Sequence, residues 1–506
     1  MPHLFLKTRY YLLFLLVFAA LNTSAQGGHV IIKTNKGYLK GIVENGIDVF
    51  KGVPYAAPPV GRLRFMPPVE HAGWNDTLSA TKFGEVAMQF SGGKVIGSED
   101  CLLLNVYTPK PDLGKRAVVV WVHGGSMING AGMYMDGHAF ADNDNIVTVT
   151  INYRLGALGF LYLGDIDKRY AASGNCGLLD VIMALKWIKE NISSFGGDPK
   201  NVTIMGESAG AKLISAVLVS PLSKGLFNRY IAESGSVQCI RDTGTAKNER
   251  LRFLKQMGLN RGDKQQLLNL GADSLIKIQG IVCAGIGGNS FFGPVYDGVT
   301  IRQDAYTYAE SKSIPRIKAL IGTNKDEAAA FFSKNDDLQK SNAAFLKSLF
   351  ADNYPTVYNR YLDELKTNEP YGASVKVLTQ YMYQMHSYRF ARALAQNNIP
   401  VWVYRYDYAN GKAYGARHGN ELQFVWNQHN LSSSVDATKK QLALNMHGAW
   451  VAFIKTGNPN IKSLPPWPNY RDNARNIMVF DTDCGVKNLT EVYNDTGFPS
   501  AVFVIK

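Results

Sequence analysis

Long apolar stretches are scarce in this sequence. Past residue 26 no run is long and apolar enough to form a bilayer-spanning helix, so a bundle of membrane helices is not expected. Cysteine is scarce too. Cys101, Cys176, Cys239, Cys283 and Cys484 make an odd number of thiols, with no C-x-x-C spacing among them. Neither a thiolate zinc site nor a dithiol redox centre is suggested, and no metal is expected. A chain of 506 residues also has no need of a disulfide framework, although Cys239 with Cys283 is one pairing that export would permit. Concentrated charge is missing as well. The net charge is +13, yet lysine and arginine never run longer than two in a row. A nucleic-acid binder needs its basic residues clustered, so no nucleic-acid partner is expected; the basic surface favours anionic partners only in a general way. No internal repeat, low-complexity segment or Pro/Gly/Ser linker marks a boundary, which predicts a single domain over residues 26–506.

What is present begins with residues 1–25. Lys7 and Arg9 precede an almost continuous apolar run, Tyr10 to Leu21, and small residues follow at Thr23 and Ala25. These are the charged, apolar and cleavage regions of a secretory signal, and they predict a secreted or periplasmic protein with a mature chain from about Gln26. Beyond it, strand-like runs alternate with helix-like segments. Ala117 to His123 and Ile146 to Ile151 read as fully buried strands, as do Ile317 to Ile321 and Val401 to Tyr406. In Gly177 to Phe195 the apolar residues recur every three or four positions, which predicts a helix stopped by Gly196-Gly197-Asp198-Pro199. The alternation predicts an α/β fold with a large, mainly parallel sheet and helices on both faces. The span 240–310 mixes short helical patterns with glycine-rich loops and 335–400 is richly helical; both read as insertions over the strand ends, with a second domain as the alternative.

The stretch Gly206-Glu207-Ser208-Ala209-Gly210 is the one G-x-S-x-G match in the chain. The pattern alone arises readily by chance in a chain with 48 glycines, so its context matters. The β-branched run Asn201 to Met205 precedes it, and a small, apolar, helix-spaced run follows to Ser220. A strand that turns sharply into a helix at a glycine-flanked serine is a nucleophile elbow. A serine hydroxyl needs a base to take its proton and a carboxylate to hold that base. Glu327 fits the acid, in a polar loop directly after the strand Ile317 to Ile321, with Asp326 as its neighbouring competitor. His418 fits the base, in Gly415-Ala416-Arg417-His418-Gly419 after the strand Val401 to Tyr406; His386 and His447 fall in helical patterns and His429 in a Ser/Asn-rich loop. The transition state of acyl transfer also needs donors for its oxyanion. Candidates are the N–H groups of Gly125 and Ser126, in the glycine turn His123-Gly124-Gly125-Ser126, and of Ala209 at the helix start.

Together these segments resemble the type-B carboxylesterase/cholinesterase family. The run Phe195 to Gly210 is similar to its serine signature nearly residue for residue, and Glu99 to Val106 to its second signature. Phe50 to Ala56, Asn152 to Gly156 and Thr456 to Pro459 match in the family's order, so the resemblance covers about residues 30–485. It implies an α/β-hydrolase fold with a gorge and assigns Ser208 as nucleophile, Glu327 as acid and His418 as base. It also implies that Glu207 shapes the gorge electrostatics. There are departures. A glycine is common in the family where Ser126 stands, but a backbone donor survives that change. The family's cysteine partner for Cys101 would fall near Ala87-Met88-Gln89 and is missing. The loop to Cys101 holds no tryptophan or tyrosine, so a cation–π cradle for choline is not expected. The acyl-pocket aromatics of cholinesterases would align near Gly288 and Ser290, beside Phe291 and Phe292. Phe331 and Phe332, just past Glu327, are candidates for the gorge wall.

These observations predict a serine esterase of the bacterial carboxylesterase type, acting on small-molecule esters through an acyl-enzyme and without a cofactor. The alternatives are an inactive adhesion or scaffold relative, and a hydrolase of amides or thioesters that uses the same three residues. Neither the natural ester nor the oligomeric state is legible.

Overall fold

A computed structural model describes residues 28–489 apart from 260–263, 285, 333–342, 429–435 and 472. The proposed signal, residues 1–25, and His429 lie outside the described residues. The core is a 13-stranded sheet. Its centre consists of parallel strands β1 (Arg116–Val122), β2 (Val147–Ile151), β3 (Gly197–Glu207), β4 (Arg229–Glu233), β5 (Lys318–Asn324), β6 (Val401–Tyr406) and β7 (Asn476–Phe480). They lie in the order β2-β1-β3-β4-β5-β6-β7. Antiparallel strands extend both edges, Leu103–Thr108 beside β2 and Gly485–Asn488 beside β7.

Strand alternation explains the continuous apolar runs. Val118, Val120 and Val122 of β1 point to one face, and Ala117, Val119 and Trp121 to the other; both sets are buried. The first face is covered by α1 (Cys176–Asn191), α2 (Ala209–Leu218) and α3 (Met385–Gln396). The second is covered by α4 (Ala437–Thr456). Helix ends follow from local chemistry. After α1 a 3₁₀ turn, Ile192–Phe195, ends on Gly196 at φ 77°, a left-handed position that glycine adopts freely. The side chain of Asp436 caps α4, and Gly457 at φ 72° ends it with Pro459 just beyond. Strand β3 starts at Gly197, earlier than the sequence suggests, because Gly197 pairs with Arg116 across a register shift before Val202 resumes the ladder.

Buried polar side chains tie loops together. Arg154 and Asp180 form a buried two-pronged ion pair, with Nε–Oδ2 at 2.8 Å and Nη2–Oδ1 at 2.7 Å. The amide of Asn105 accepts from the Gly52 N–H and donates to Thr150. The five cysteines are free thiols, so the Cys239–Cys283 pairing is not made, and Cys101 is a buried thiol. Among the described residues, no helix is long and apolar enough to cross a membrane.

The order of β2, β1 and β3 positions the site. The chain leaves β1, forms β2 on one side of it, and returns to form β3 on the other. The loops at the carboxyl ends of β1 and β3 therefore diverge and leave a crevice, the place where open α/β sheets bind ligands. The insertion helices Ala343–Phe350, Tyr354–Glu364 and Pro370–Thr379 build their own small core with Ala328, Ala329 and Phe332, over the end of β5.

Helix α2 must start very close to β1 for this crevice to form. A Cβ on Gly206 would stand 2.8 Å from the Val122 carbonyl oxygen, and one on Gly210 would overlap that oxygen outright. Gly210→Ala is therefore expected to destabilise the protein by ~1–3 kcal/mol, the usual cost of overpacking. A urea titration checks it, and an unchanged midpoint would refute the close approach.

Candidate active site

Ser208 sits where β3 meets α2, at φ 55° and ψ −119°. A non-glycine residue holds that conformation only when its surroundings impose it. Here the Ser208 N–H donates to the Glu233 carbonyl at 2.8 Å, and the Lys212 N–H donates to the Ser208 carbonyl at 2.9 Å. Neighbouring glycines leave room: a Cβ on Gly124 would lie 3.1 Å from the Ser208 Cβ. The hydroxyl is thus turned out of both strand and helix.

Glu327 follows β5 and is fully buried. One carboxylate oxygen accepts from the Asn324 N–H at 2.7 Å. The other faces His418 Nδ1 at 2.6 Å. His418 Nε2 lies 2.7 Å from Ser208 Oγ. Three side chains from the ends of β3, β5 and the loop after β6 meet in one hydrogen-bonded line. Asp326, the competitor for the acid's place, has a different task. Its N–H donates to the Ala416 carbonyl and its carboxylate accepts from the Ala416 N–H at 3.2 Å. It clips the histidine loop to the loop that carries Glu327. Asn324 adds a second clip through the Arg417 carbonyl at 2.7 Å.

The turn after β1 lies beside the serine. Gly125, Ser126 and Met127 all have positive φ, at 104°, 55° and 58°. His123 anchors the turn: it stacks on Tyr153 with centroids 4.5 Å apart, and burial pulls its imidazole down to about 4, so it is neutral. Gln89 clamps Gly130 with two reciprocal amide bonds of 2.9 and 3.0 Å. Ala209 is the first residue of α2, where backbone N–H groups have no partner within the helix. The three proposed oxyanion donors are therefore on backbone that borders Ser208 from two sides.

Electrostatically the site is crowded with carboxylates. Glu207 Oε1 lies 3.2 Å from His418 Nε2. Glu421 is held by Ser234 at 3.2 Å and by Asn324, and Glu233 accepts from Trp450 at 2.6 Å. Burial penalises charge on Glu207, Glu233 and Glu421 and raises all three, Glu421 to about 8. Burial pulls the His418 imidazolium down, but Glu207 and Glu327 together outweigh this and raise it to about 9.

The remaining candidates fall in two places. Phe331 packs on the His418 ring, with centroids 5.2 Å apart, and stacks on Tyr383. Phe332 turns into the insertion core against Tyr371. Phe291 and Phe292 are buried, and among the described residues their ring contacts are with each other and Phe253. Gly288 and Ser290 lie on the 3₁₀ turn Ile286–Ser290 just before them. Sequence reasoning missed Tyr383, Lys212 and Glu421. Tyr383 lies on a π-helical turn, Gln380–Gln384, and reaches His418 with centroids 4.8 Å apart. Glu421 follows His418 by three residues, and Lys212 follows Ser208 by one helical turn; those spacings were the available signals. A cleft of about 440 Å³ opens beside the site, lined among others by Phe90, Trp121, Gly124, Gly125, Tyr134 and Glu207.

Known proteins share this arrangement of chain. The profile of the Carboxylesterase family matches residues 28–494. The para-nitrobenzyl esterase of Bacillus subtilis (strain 168) is 35% identical, over 91% of this chain and 96% of its own. The phenmedipham hydrolase of Pseudarthrobacter oxydans is 32% identical, over 89% of this chain and 94% of its own. Among solved structures, a PNB esterase is 36% identical with a TM-score of 0.82, covering 92% of this chain and 98% of that one. The Geobacillus stearothermophilus carboxylesterase EST55 is 35% identical with a TM-score of 0.81, covering 91% and 98%. The fold is that of the α/β-hydrolases, and the chain belongs to the carboxylesterase family, an enzyme that hydrolyses carboxylic esters.

Proposed function

We propose that Ser208, His418 and Glu327 carry out this hydrolysis, and that the protein is exported. The observation that carries the first reading is the continuous line from Ser208 Oγ through the imidazole to the buried Glu327, with links of 2.7 and 2.6 Å. Ser208 Oγ attacks the ester carbonyl carbon while its proton passes to His418 Nε2. The carbonyl oxygen takes the negative charge and rests on the N–H groups of Gly125, Ser126 and Ala209. The carbon–oxygen bond to the alcohol then breaks as Nε2–H protonates the leaving oxygen. Water attacks the acyl-enzyme, gives its proton to Nε2, and the acid leaves as that proton returns to Oγ. Glu327 fixes the ring so that Nδ1 carries the proton and Nε2 faces the serine, and it stabilises the imidazolium in between. Glu207 acts through space on the same imidazolium.

Export rests on the basic and apolar segments of residues 1–25. N-terminal sequencing of the mature protein is expected to begin near Gln26; a mature chain that retains Met1 would refute cleavage.

Ser208→Ala and His418→Ala are each expected to lower kcat on a simple ester by a factor on the order of 10⁴ to 10⁶. An organophosphonate should label Ser208 stoichiometrically, as located by mass spectrometry. Full turnover in either variant would contradict the assignment.

The base must be neutral to accept a proton, so kcat/KM is expected to rise with pH as His418 deprotonates. Glu207 favours the charged ring, and removing its charge makes the ring lose its proton at lower pH. In Glu207→Gln the acidic limb of the kcat/KM profile is therefore expected to move to lower pH. A shift to higher pH, or none, would show that Glu207 does not act on the imidazole.

A further inference from the structure

Lys212 has no part in the chemistry above, yet it lies beside it. It lies in the first turn of α2, four residues past Ser208, and its backbone N–H donates to the Ser208 carbonyl at 2.9 Å. Helical side chains lean toward the N-terminus, which tips Lys212 back toward the serine. Its ammonium sits over the Tyr383 ring, 5.2 Å from the centroid, and that ring in turn packs on His418. The side chain lies deep in the protein and still keeps some accessible surface. Among the described residues Lys212 makes no ion pair or side-chain hydrogen bond; its ammonium has only the aromatic face.

A lysine ammonium so placed costs desolvation free energy that a ring face only partly offsets. Neighbouring groups do not neutralise it. Arg241 adds positive charge, and its own partners are Glu249 and the carbonyls of Phe291 and Cys239. His386 is kept neutral, near 3, by burial and by the positive charges of Arg389 and Lys212. Burial holds the Lys212 ammonium below the ordinary lysine range, while Cys239, Glu207 and Glu327 act in the opposite sense. An anion bound beside it would favour the charged form further.

The side of the ester that Lys212 meets follows from His418. The leaving oxygen must come within reach of Nε2, whose other near neighbour is Glu207 Oε1 at 3.2 Å. Glu207 lines the 440 Å³ cleft, so that cleft takes the alcohol. The acyl chain is then directed away from that cleft, whose lining includes neither Lys212 nor Tyr383.

We propose that Lys212 is a specificity-determining residue that binds a carboxylate carried on the acyl chain, making half-esters of dicarboxylic acids preferred substrates. This rests on the Ser208 mechanism proposed above. The test compares kcat/KM for monoethyl glutarate, for neutral ethyl pentanoate of matching chain length, and for 3-(butanoyloxy)propanoate, which carries its carboxylate on the alcohol side. Turnover of ethyl pentanoate tests the esterase mechanism separately. The wild type is expected to favour monoethyl glutarate over ethyl pentanoate, and a preference for the neutral ester overturns the proposal without any variant. In Lys212→Met, which keeps the side-chain volume, the ratio of the two is expected to fall at least tenfold, and Lys212→Arg is expected to restore most of it. Equal loss on both esters, as a structural role would give, overturns the proposal. So does a preference for 3-(butanoyloxy)propanoate that Lys212→Met abolishes, because it would place the cation on the alcohol side.

Discussion

The hydrogen bond between the buried Glu327 carboxylate and the His418 imidazole is the interaction on which the site depends. It crosses from the end of one strand to the loop after the next, and each side is fixed by a separate contact. The Asn324 N–H holds the carboxylate, and the paired bonds between Asp326 and Ala416 hold the histidine loop. A bond of this kind in a low-dielectric interior is strong, and it is costly to break because it would strand a buried carboxylate. The ring is therefore not free to search for the serine. It is set, and the strained backbone of Ser208 brings the hydroxyl to it.

The surrounding carboxylates make the same point in terms of charge. Glu207, Glu233 and Glu421 add three acids to a region that already holds Glu327, and burial together with mutual repulsion raises all three. Such a cluster cannot ionise completely, and it shares protons instead. Its effect on the one imidazole is to favour the imidazolium, the form created at each chemical step. The cost is a resting base that holds its proton too well. The balance between those effects is set by how much charge Glu207 and Glu421 keep, which is why buried acids outside the line of three residues belong to the energetics of the reaction.

Much of this was legible from residue order. β6 runs over the predicted Val401–Tyr406, and β1 and β2 agree with prediction to within a residue, because strands buried on both faces leave unbroken apolar runs. Ser208 and Glu327 could be picked out because each follows closely on a strand, and His418 because it lies in the glycine-flanked loop after the next one. The histidine choice still shows the limit. His447 also has a carboxylate partner, Asp144 at 2.7 Å, but its other ring nitrogen faces the Val425 carbonyl at 2.7 Å, so none is left for a serine. What stayed hidden depends on segments that meet only after folding. Tyr383 reaches the site because a helix carries a π turn, and Gln89 because a hairpin docks on a glycine loop some forty residues on. The Phe291 and Phe292 rings pack on each other, and that of Phe292 on Phe253, a grouping that residue order does not show.

Lys212 gives this crowded site a direction. The carboxylate Glu207 borders the cleft where an alcohol would depart, and negative charge there helps the imidazolium hold the proton it must deliver. An ammonium in the same place would oppose that step. On the other side of the serine, over Tyr383, the same ammonium stays clear of the proton path while remaining close enough to act on an acyl group. The two charges thus divide the gorge by polarity, and the basic surface of the chain favours approach of an anion from solvent. Because Lys212 lies in the first turn of the helix that Ser208 opens, the nucleophile and the proposed recognition group are placed by a single element. A substrate that satisfies the lysine is thereby aligned on the serine, and binding energy from a remote carboxylate becomes orientation at the reacting carbon.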